Sequence, residues 1–588
     1  MLAPNFSAAW ESLAPFPLPQ FAENLLRRCL AFDKLSELYT SFEAGRPLPD
    51  QVLEALEIRY DVSSRDLSAI PRTGATVVVA NHPYGALEGA LLSSVLRQIR
   101  PDVRILANGV LSLIPEMRDQ LVTVDPMGGN DATRTNPAGL RKALQFLESG
   151  GLLVIFPAGE VSHYQWRRGV VEDSEWKPSI ARMLGVLHRR QVEVKVVPAF
   201  ISGHNSVLFH SAGLLHPRLR TAMLARELWN KRHCRVSLRF GRAVTGEKLA
   251  SLASDEERIA YLRWRTYLLA GRGEHANTDM PRHEAVADPV ATEALRSDLA
   301  PLAPLASSGA LRVYLASAHE IPNVLSEIAR LREITFRAVG EGTGRREDRD
   351  KYDETYLHLF VWNEEKGEVA GAYRLAGTDT TPDLYTQTLF RYGPELLGRL
   401  GPALELGRSF VRAEYQRSYN ALLLLWKGIG EFIGRNPRYR VLFGPVSISG
   451  QYQAASRELM VAFLEKRAWW GELAPLVTSR SPLRRGALRE PPPSAVRDFE
   501  ELSELVDELE PKAQGVPVLL RQYLKLGGRL LGFNVDRDFA HALDGLIVVD
   551  LLATEPHLLD RYLGKEAAAR FRAYQKGQHG THTGVSHC

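Results

Sequence analysis

Unbroken apolar runs and helically spaced apolar stripes alternate through the first half of the chain. Short runs of branched or small apolar residues predict strands at 75–80, 103–107, 121–124, 152–156, 194–200 and 235–240. Between them, apolar residues recur at helical spacing and predict helices at 86–99, 137–148 and 178–190. In the first of these helices the stripe is Leu87, Leu91, Leu92, Val95 and Leu96. Strand and helix in alternation imply a mostly parallel sheet with helices on both faces. Two helices are expected before this pattern begins. One carries Phe21, Leu25, Cys29, Phe32, Leu35 and Tyr39, and the other is the VLEALEIR stretch after Pro49-Asp50.

The pattern breaks at residues 273–308, which are rich in Ala, Pro, Asp and Ser and read as a linker with one short helix. Beyond it, strands are expected at 311–316, 356–362, 369–375, 404–411 and 441–448. Helices are expected at 320–333 and 421–433. The turn Asn363–Gly367 joins two of the strands as a hairpin. The expected architecture is therefore α/β, with one α/β domain over 1–272, a linker over 273–308 and a second α/β domain over 309–588.

A length of 588 residues suits two or more domains. Hydrophobic content of 45% and charged content of 24% are those of ordinary globular protein. The net charge of +4 is too mild to argue for nucleic acid, but it suits an acidic partner or an anionic membrane surface. Cys29, Cys234 and Cys588 are scattered, with neither metal-ligand spacing nor a disulfide framework, so no metal and a reducing compartment are expected. No run of 18 apolar residues exists to span a membrane, and the N-terminus lacks the basic start of a signal peptide. In Leu214–Arg232, Leu215, Leu219, Met223 and Trp229 alternate with Arg and Lys. Such a stretch is a candidate for lying on an anionic membrane; the alternative is a docked helix with a basic outer face. The expected location is cytoplasmic, peripheral on the inner face of the cell membrane.

Chemistry enters at Val77–Gly89, VVVANHPYGALEG. Asn81 and His82 end a buried strand, and Pro83, Tyr84 and Gly85 make the turn into a helix. A histidine at the carboxyl end of such a strand stands where open α/β sheets place their chemistry. Glu88, in the first helical turn, is placed to orient the imidazole, and a His held by a carboxylate is a general base for a hydroxyl. The alternative for His82 is a capping or packing role. A second buried strand runs into Pro-Ala-Gly-Glu within Leu152–Ser162, LLVIFPAGEVS, and Val196–Ser202 reads VVPAFIS.

These three stretches, in this order, resemble the glycerolipid acyltransferases, the lysophosphatidic-acid acyltransferases and their relatives. That family carries Asn-His, four residues and Asp, and later Phe-Pro-Glu-Gly-Thr-Arg-Ser. Here the carboxylate is Glu88, one position later, and Ala158 stands where the family has Glu, with Glu160 two residues on. The resemblance covers roughly residues 60 to 245. It implies an O-acyltransferase in which His82 takes a hydroxyl proton while Glu88 fixes its tautomer. Backbone N–H groups of Gly159 and its neighbours would face the oxyanion. Asn81, Glu160, Ser162 and Arg167 are the accompanying substrate-binding candidates, with a solvated surface as the alternative for Arg167.

The second half resembles the GNAT acyltransferases, and within them the ornithine-lipid N-acyltransferases and their hemolysin-named relatives. The matching residues include Arg332, Phe336, Asp350, Tyr352 and Asp353, then Tyr373-Arg374-Leu375, Glu405-Leu406-Gly407-Arg408-Ser409 and Leu425-Trp426-Lys427-Gly428-Ile429. The cover is about residues 311 to 552. Here the nucleophile would be an amine, Glu405 its base or relay, and Arg408 the fork that holds an amino-acid carboxylate. The alternative is that Glu405 and Arg408 bridge each other. Arg332 and Ser409 are further substrate-binding candidates. The segment Tyr415–Ala421 has no glycine to cradle a pyrophosphate, which favours an acyl carrier protein over coenzyme A as thioester donor, with Arg417 as its contact.

An O-acyltransferase-like half followed by an N-acyltransferase-like half resembles the bifunctional ornithine-lipid synthases. The resemblance implies that the second half N-acylates a free amino acid with a 3-hydroxyacyl chain, and that the first half then acylates the new hydroxyl. Expected partners are an acyl carrier protein, a free amino acid, and a lipid acceptor at a membrane, with no nucleic acid. No bound cofactor is expected beyond the thioester donor. The alternatives are a lysophospholipid acyltransferase with a regulatory second half, and a non-catalytic lipid- or carrier-binding protein.

Overall fold

A computed structural model describes residues 30–108, 114–124, 132–166, 168–215, 220, 223–273, 283–417, 420–486, 491–492, 494–512 and 515–581. The chain forms two compact units. The first comprises Met1–Arg272 with Arg489–Arg497, and the second Gly273–Leu488 with Asp498–Cys588.

In the first unit the strands are β1 (Arg59–Asp61), β2 (Thr76–Ala80), β3 (Val103–Asn108), β4 (Leu121–Val124), β5 (Leu152–Ile155), β6 (His163–Gln165), β7 (Val170–Glu172), β8 (Lys195–Ile201), β9 (Arg235–Phe240) and β10 (Val244–Thr245). The main sheet has the order β1-β9-β8-β2-β5-β3-β4, with β10 beside β8. From β8 to β4 every pairing is parallel. That puts the fully buried β2 at the centre, which is why it reads as an unbroken apolar run rather than an alternating one. The helix Leu87–Arg97 follows β2, and its Leu91, Leu92 and Val95 pack with Val78, Val154 and Val197. The short strands β6 and β7 form a separate antiparallel ribbon that the apolar pattern does not announce. Within Leu214–Arg232, the stretch expected to lie on a membrane, residues 216–219 and 221–222 lie outside the described residues. The described part includes the helix Leu224–Asn230, whose Trp229 is partly buried under the stacked Arg232.

The second unit holds β11 (Ala306–Ser308), β12 (Leu311–Ser317), β13 (Leu357–Asn363), β14 (Glu368–Gly377), β15 (Phe390–Tyr392), β16 (Ala403–Val411), β17 (Val441–Ile448), β18 (Val477–Ser479), β19 (Arg529–Asp536) and β20 (Ala542–Asp550). The main sheet has the order β11-β12-β13-β14-β16-β17-β20-β19. Every pairing in it is antiparallel except β16 with β17. One face takes the helix Pro322–Ala338 on Tyr314, Phe360 and Trp362. The other takes Asn420–Arg435, whose Gly428 lies against Val313 and Leu359. Part of the expected linker belongs to this unit. Its helix Thr292–Leu299 buries Leu295 and Leu299 in the core, and β11 edges the sheet. Polar composition hid those two anchoring leucines.

The parallel pair is also where the sheet opens. β16 pairs with β14 along most of its length, from Leu404 to Val411, but with β17 only over Ala403–Glu405. β17 meanwhile stays paired with β20 as far as Ile448. The two central strands therefore separate after Leu406. At the point of separation a Cβ on Gly444 would collide with the Leu406 carbonyl, so only glycine fits there.

Candidate active sites

In the first unit, β2 ends at Ala80 and the chain turns through Asn81–Ala86 into the helix Leu87–Arg97. His82 Nδ1 stands 2.9 Å from Glu88 Oε1, an ion-pair distance without the alignment of a full hydrogen bond. Glu88 has no exposed surface, and its Oε1 accepts the N–H groups of Tyr84 (2.8 Å) and Gly85 (2.9 Å). Burial opposes its ionisation most, but His82 and these two amides outweigh it and hold the carboxyl below the usual range. The imidazole stacks on Phe156 at 4.3 Å and keeps 16% of its side-chain surface exposed. With Nδ1 turned to Glu88, Nε2 is the nitrogen free to meet a hydroxyl; among the described residues nothing bonds it.

The turn is locked from behind. Asn81 exchanges two hydrogen bonds with the backbone of Ile201, at 2.9 and 2.7 Å, which ties the end of β2 to β8. Asp173 accepts the His82 N–H (3.1 Å), the Ser162 hydroxyl (2.5 Å) and the Trp176 indole N–H (2.9 Å). Its own N–H donates to Tyr267 Oη at 2.8 Å. The Ser162 N–H donates to the His82 carbonyl at 2.8 Å. Asn81 and Ser162, expected to bind substrate, are thus both spent on holding His82 in place. Gly159 is corrected likewise. Its φ of +71° makes the turn, but its N–H donates to the Phe156 carbonyl at 3.0 Å and does not face an oxyanion. Glu160 is partly exposed and engages Ser174 and Arg220, the latter at 2.6 Å. Burial opposes its charge, but these two partners prevail and lower its pKa. Arg167 lies outside the described residues.

Asp173 also borders a cleft of about 1090 Å³, lined among others by Tyr164, Trp166, Arg168, His204, His210 and Arg220. The ribbon β6–β7 and the helix Val207–Leu215 wall it, and Trp166, Val207 and Leu208 are exposed at 69, 79 and 50%. Its size suits an extended ligand. His210 is driven towards its neutral form by burial. Asp173, Trp176, Tyr267 and Phe156 were not anticipated. Phe156 stood inside a recognised motif, whereas the other three fall in polar stretches with no spacing to mark them.

The second unit gathers three arginines and three aspartates. Arg332 grips both Asp353 oxygens at 2.9 and 2.8 Å and donates to the Asp348 carbonyl. Arg374 donates to Asp350 at 2.6 Å and to Asp353 at 3.2 Å. Arg408 lies 3.4 Å from Asp348 and 3.5 Å from Asp350. Arg332, Arg374, Asp348 and Asp353 are all at most 2% exposed. Burial penalises Asp353 most, yet the Arg332 fork and the charge of Arg374 hold it far below the usual carboxylate range. Arg408 adopts φ +48°, a left-handed conformation that costs a non-glycine residue about 1–3 kcal/mol. It sits where β16 leaves β17, with its guanidinium over Tyr385 (5.0 Å) and Phe539 (4.4 Å).

Glu405 and Arg408 do not bridge each other. Glu405 has no exposed surface and accepts the N–H and the hydroxyl of Thr386, both at 3.1 Å. Burial pushes its pKa up to about 7 against those hydrogen bonds. It anchors the turn Tyr385–Thr388 and does not meet an acceptor as it stands. Arg332 likewise is a strut of the net rather than a ligand contact. Ser409 lies beside the Tyr373 hydroxyl, in the aromatic group of Trp426 and Tyr523, rather than among the arginines. Arg417 is exposed in the turn before the helix Asn420–Arg435. Among the described residues no cluster could hold a metal ion, and no helix is long and apolar enough to cross a membrane.

Comparison with known proteins follows this division. A family described as Acyltransferase matches residues 8–274, and the Acetyltransferase (GNAT) domain family matches residues 331–427. A protein named Glycine N(alpha)-acyltransferase from Bacteroides thetaiotaomicron is 32% identical over 297 residues, covering 45% of this chain and 86% of that protein. One of the same name from Phocaeicola vulgatus is 34% identical, covering 34% of this chain and 67% of that protein. A Lyso-glycine lipid O-acyltransferase from Bacteroides thetaiotaomicron is 25% identical, covering 39% of this chain and 82% of that protein. The crystal structure of the 1-acyl-sn-glycerophosphate (LPA) acyltransferase from Thermotoga maritima matches 44% of this chain and 83% of its own, at 17% identity and a TM-score of 0.23.

Proposed function

We propose that this chain, which belongs to the acyltransferase family of the glycine N(alpha)-acyltransferases, makes a two-chain amino-acid lipid with its two sites in succession. One observation carries the reading: a His–carboxylate pair suited to hydroxyl acceptors and an arginine-lined opening suited to an amine acceptor occur in one polypeptide. The second unit transfers a 3-hydroxyacyl chain from a thioester to the amino group of a free amino acid. Arg408, the least buried arginine of the net, holds the acceptor carboxylate. The relatives' names make glycine the first acceptor to test, and the sequence resemblance makes ornithine the second.

The first unit then acylates the hydroxyl of that product. His82 Nε2 takes the hydroxyl proton as oxygen attacks the second thioester. Glu88 keeps Nδ1 protonated and stabilises the imidazolium, help worth roughly 10²–10⁴-fold. The departing thiolate recovers the proton from Nε2. The lipid acceptor lies in the cleft beside Asp173, and the exposed Trp166 and Val207 of its lining suit a cleft that receives it at the inner face of a membrane. Both donors are acyl carrier protein thioesters, with Arg417 at the docking face for the second unit. The test is an assay of the purified chain with 3-hydroxyacyl and acyl carrier thioesters and a panel of free amino acids, read by mass spectrometry. Amino-acid-dependent amide, followed by ester on the same molecule, is expected. Thiol release that ignores every amino acid would refute the reading.

A further inference from the structure

Facing Arg408 across the opened sheet is a second set of acids that the arginine net does not use. β17 pairs Ser447 with Asp544, and β20 in turn pairs Asp544 with Asn534 of β19. Directly paired residues share a face of the sheet, so these three stand side by side. Asp536, two residues beyond Asn534, joins that face. Glu341 reaches the row from the segment after the helix Pro322–Ala338 and accepts the Ser447 hydroxyl at 2.8 Å. Tyr385 links the row to the arginine: its ring lies beneath Arg408, and its hydroxyl approaches Asp536 at 3.4 Å.

Asp348, Asp350 and Asp353 are matched by three arginines, whereas Glu341, Asp536 and Asp544 make no ion pair among the described residues. Asp544 is the extreme case. The residue is 6% exposed, and while its backbone is paired on both sides, its carboxylate accepts no hydrogen bond among the described residues. An isolated buried carboxylate costs several kcal/mol, and such a group wants an explanation. The independent observation is Arg408, with its left-handed backbone and an Nε that is buried without an acceptor. A guanidinium and a carboxyl group, each incompletely satisfied, thus border the same opening.

We propose that Asp544 receives the ammonium group of the amino-acid acceptor and is the base that takes its proton. The assignment rests on the N-acylation reading above. Asp544 removes one proton from the ammonium. The freed lone pair attacks the thioester carbonyl carbon, the C–N bond forms and the C–S bond breaks. The second amine proton ends on the departing thiolate, giving amide and thiol. The groups facing Asp544 are Asp536, Glu341, Arg408 and Tyr385. Burial and the two acids push its pKa well above the ordinary value, against the pull of Arg408, which suits a base for an ammonium.

The experiment measures amide formation by the full chain against amino-acid concentration and pH, for the wild type and for Asp544→Asn. Ester formation on supplied single-chain lipid serves as the check that the variant protein is intact. The substitution is expected to lower kcat/KM for the amino acid at least a hundredfold. The residual rate should rise tenfold per pH unit between 7 and 9, because the amine must then arrive already deprotonated. Should the Asn variant fail to fold, Asp544→Glu keeps the charge and is expected to keep the wild-type pH profile at a reduced kcat. An intact Asn variant with wild-type kcat/KM and profile, or a Glu variant with the steep profile, overturns the assignment. A wild-type chain that forms no amide with any amino acid would instead refute the N-acylation reading itself, and this inference with it.

Discussion

In the first unit one imidazole meets one carboxylate, His82 against Glu88 at 2.9 Å, and the ring keeps a face to the solvent. In the second, three guanidiniums share three carboxylates, of which Asp348 and Asp353 are almost wholly enclosed and Asp350 is partly exposed. The difference follows from the acceptors proposed for them. A hydroxyl needs only a base with a fixed tautomer, so two groups on one turn suffice. A free amino acid brings charges of both signs, and a pocket for it must hold fixed charge in a low-dielectric interior. Fixed charge survives there only when compensated, which is what the net around Asp353 does. The first site is a device of orientation and the second one of compensation.

The largest effect expected on this contrast comes from removing Asp353. Asp353→Asn leaves Arg332 and Arg374 short of their shared partner in a dry interior. Breaking a buried pair this way costs about 3–5 kcal/mol. Denaturant unfolding should show the transition of the second unit displaced by that amount, with amide formation lost. A cost under about 1 kcal/mol would mean that the net is solvated and the contrast false.

His82→Ala comes next. It removes the proposed base while the lock behind the turn remains, since Asp173 holds the backbone N–H of residue 82 rather than its ring. Ester formation should fall about 10²–10⁴-fold, amide formation should continue, and single-chain amide should accumulate. Glu88→Gln should fall by less, because it leaves a base with a poorly fixed tautomer. If His82→Ala also stops amide formation, the two sites do not divide the work.

How far each site could be read from the sequence tracks the same contrast. His82 and Glu88 sit six residues apart on a strand–turn–helix, so local patterning was enough to pair them. Asp173 joins them from 91 residues away and belongs to no motif. In the second unit Arg332, Asp353, Arg374 and Arg408 were all visible as matching residues, but which arginine takes which aspartate depends on strand register and on a left-handed residue. A bridge between Glu405 and Arg408, three residues apart on one strand, stood as the alternative to separate roles. The irregular course of β16 between Glu405 and Val411 and the backbone of Arg408 send them to different neighbours. Periodicity found most strands of the two main sheets, but no strand was expected at β19 or β20. It also missed short strands such as β6, β7 and β11, whose three residues each are too few to carry a period.

Glu405→Gln probes a buried acid that lies outside the net. Its pKa rises from the ordinary 4.5 to about 7 in the folded protein, mainly through burial. The folded state therefore favours the protonated form. Its stabilising contribution is complete below pH 4.5 and is lost as pH rises to about 7, because only the unfolded chain ionises freely in that window. Glutamine never ionises. The stability of the variant relative to wild type should climb by about 1–3 kcal/mol between pH 4.5 and 7 and then level off. Unfolding curves at half-unit pH steps measure it. A flat difference would show that water reaches Glu405.

The smallest effect belongs to the ion pair of Glu160 with Arg220, and it sharpens the contrast by holding chemistry constant. This pair has a contact of 2.6 Å, close to the 2.8 and 2.9 Å of Arg332 with Asp353. Distance alone would rank them as equals. But Glu160 keeps 42% of its side-chain surface in water, against none for Asp353. The exposed carboxylate loses little solvation on pairing and gains little from it, so Glu160→Gln should cost less than about 1 kcal/mol. Salt distinguishes the two further. At 1 M ionic strength charges are screened within about 3 Å wherever ions can enter, and the Glu160→Gln cost should vanish. Ions do not enter the interior around Asp353, so the cost of Asp353→Asn should stay nearly unchanged. If both costs fall together with salt, burial is not what separates the two regions, and the division between orientation and compensation would have to be redrawn.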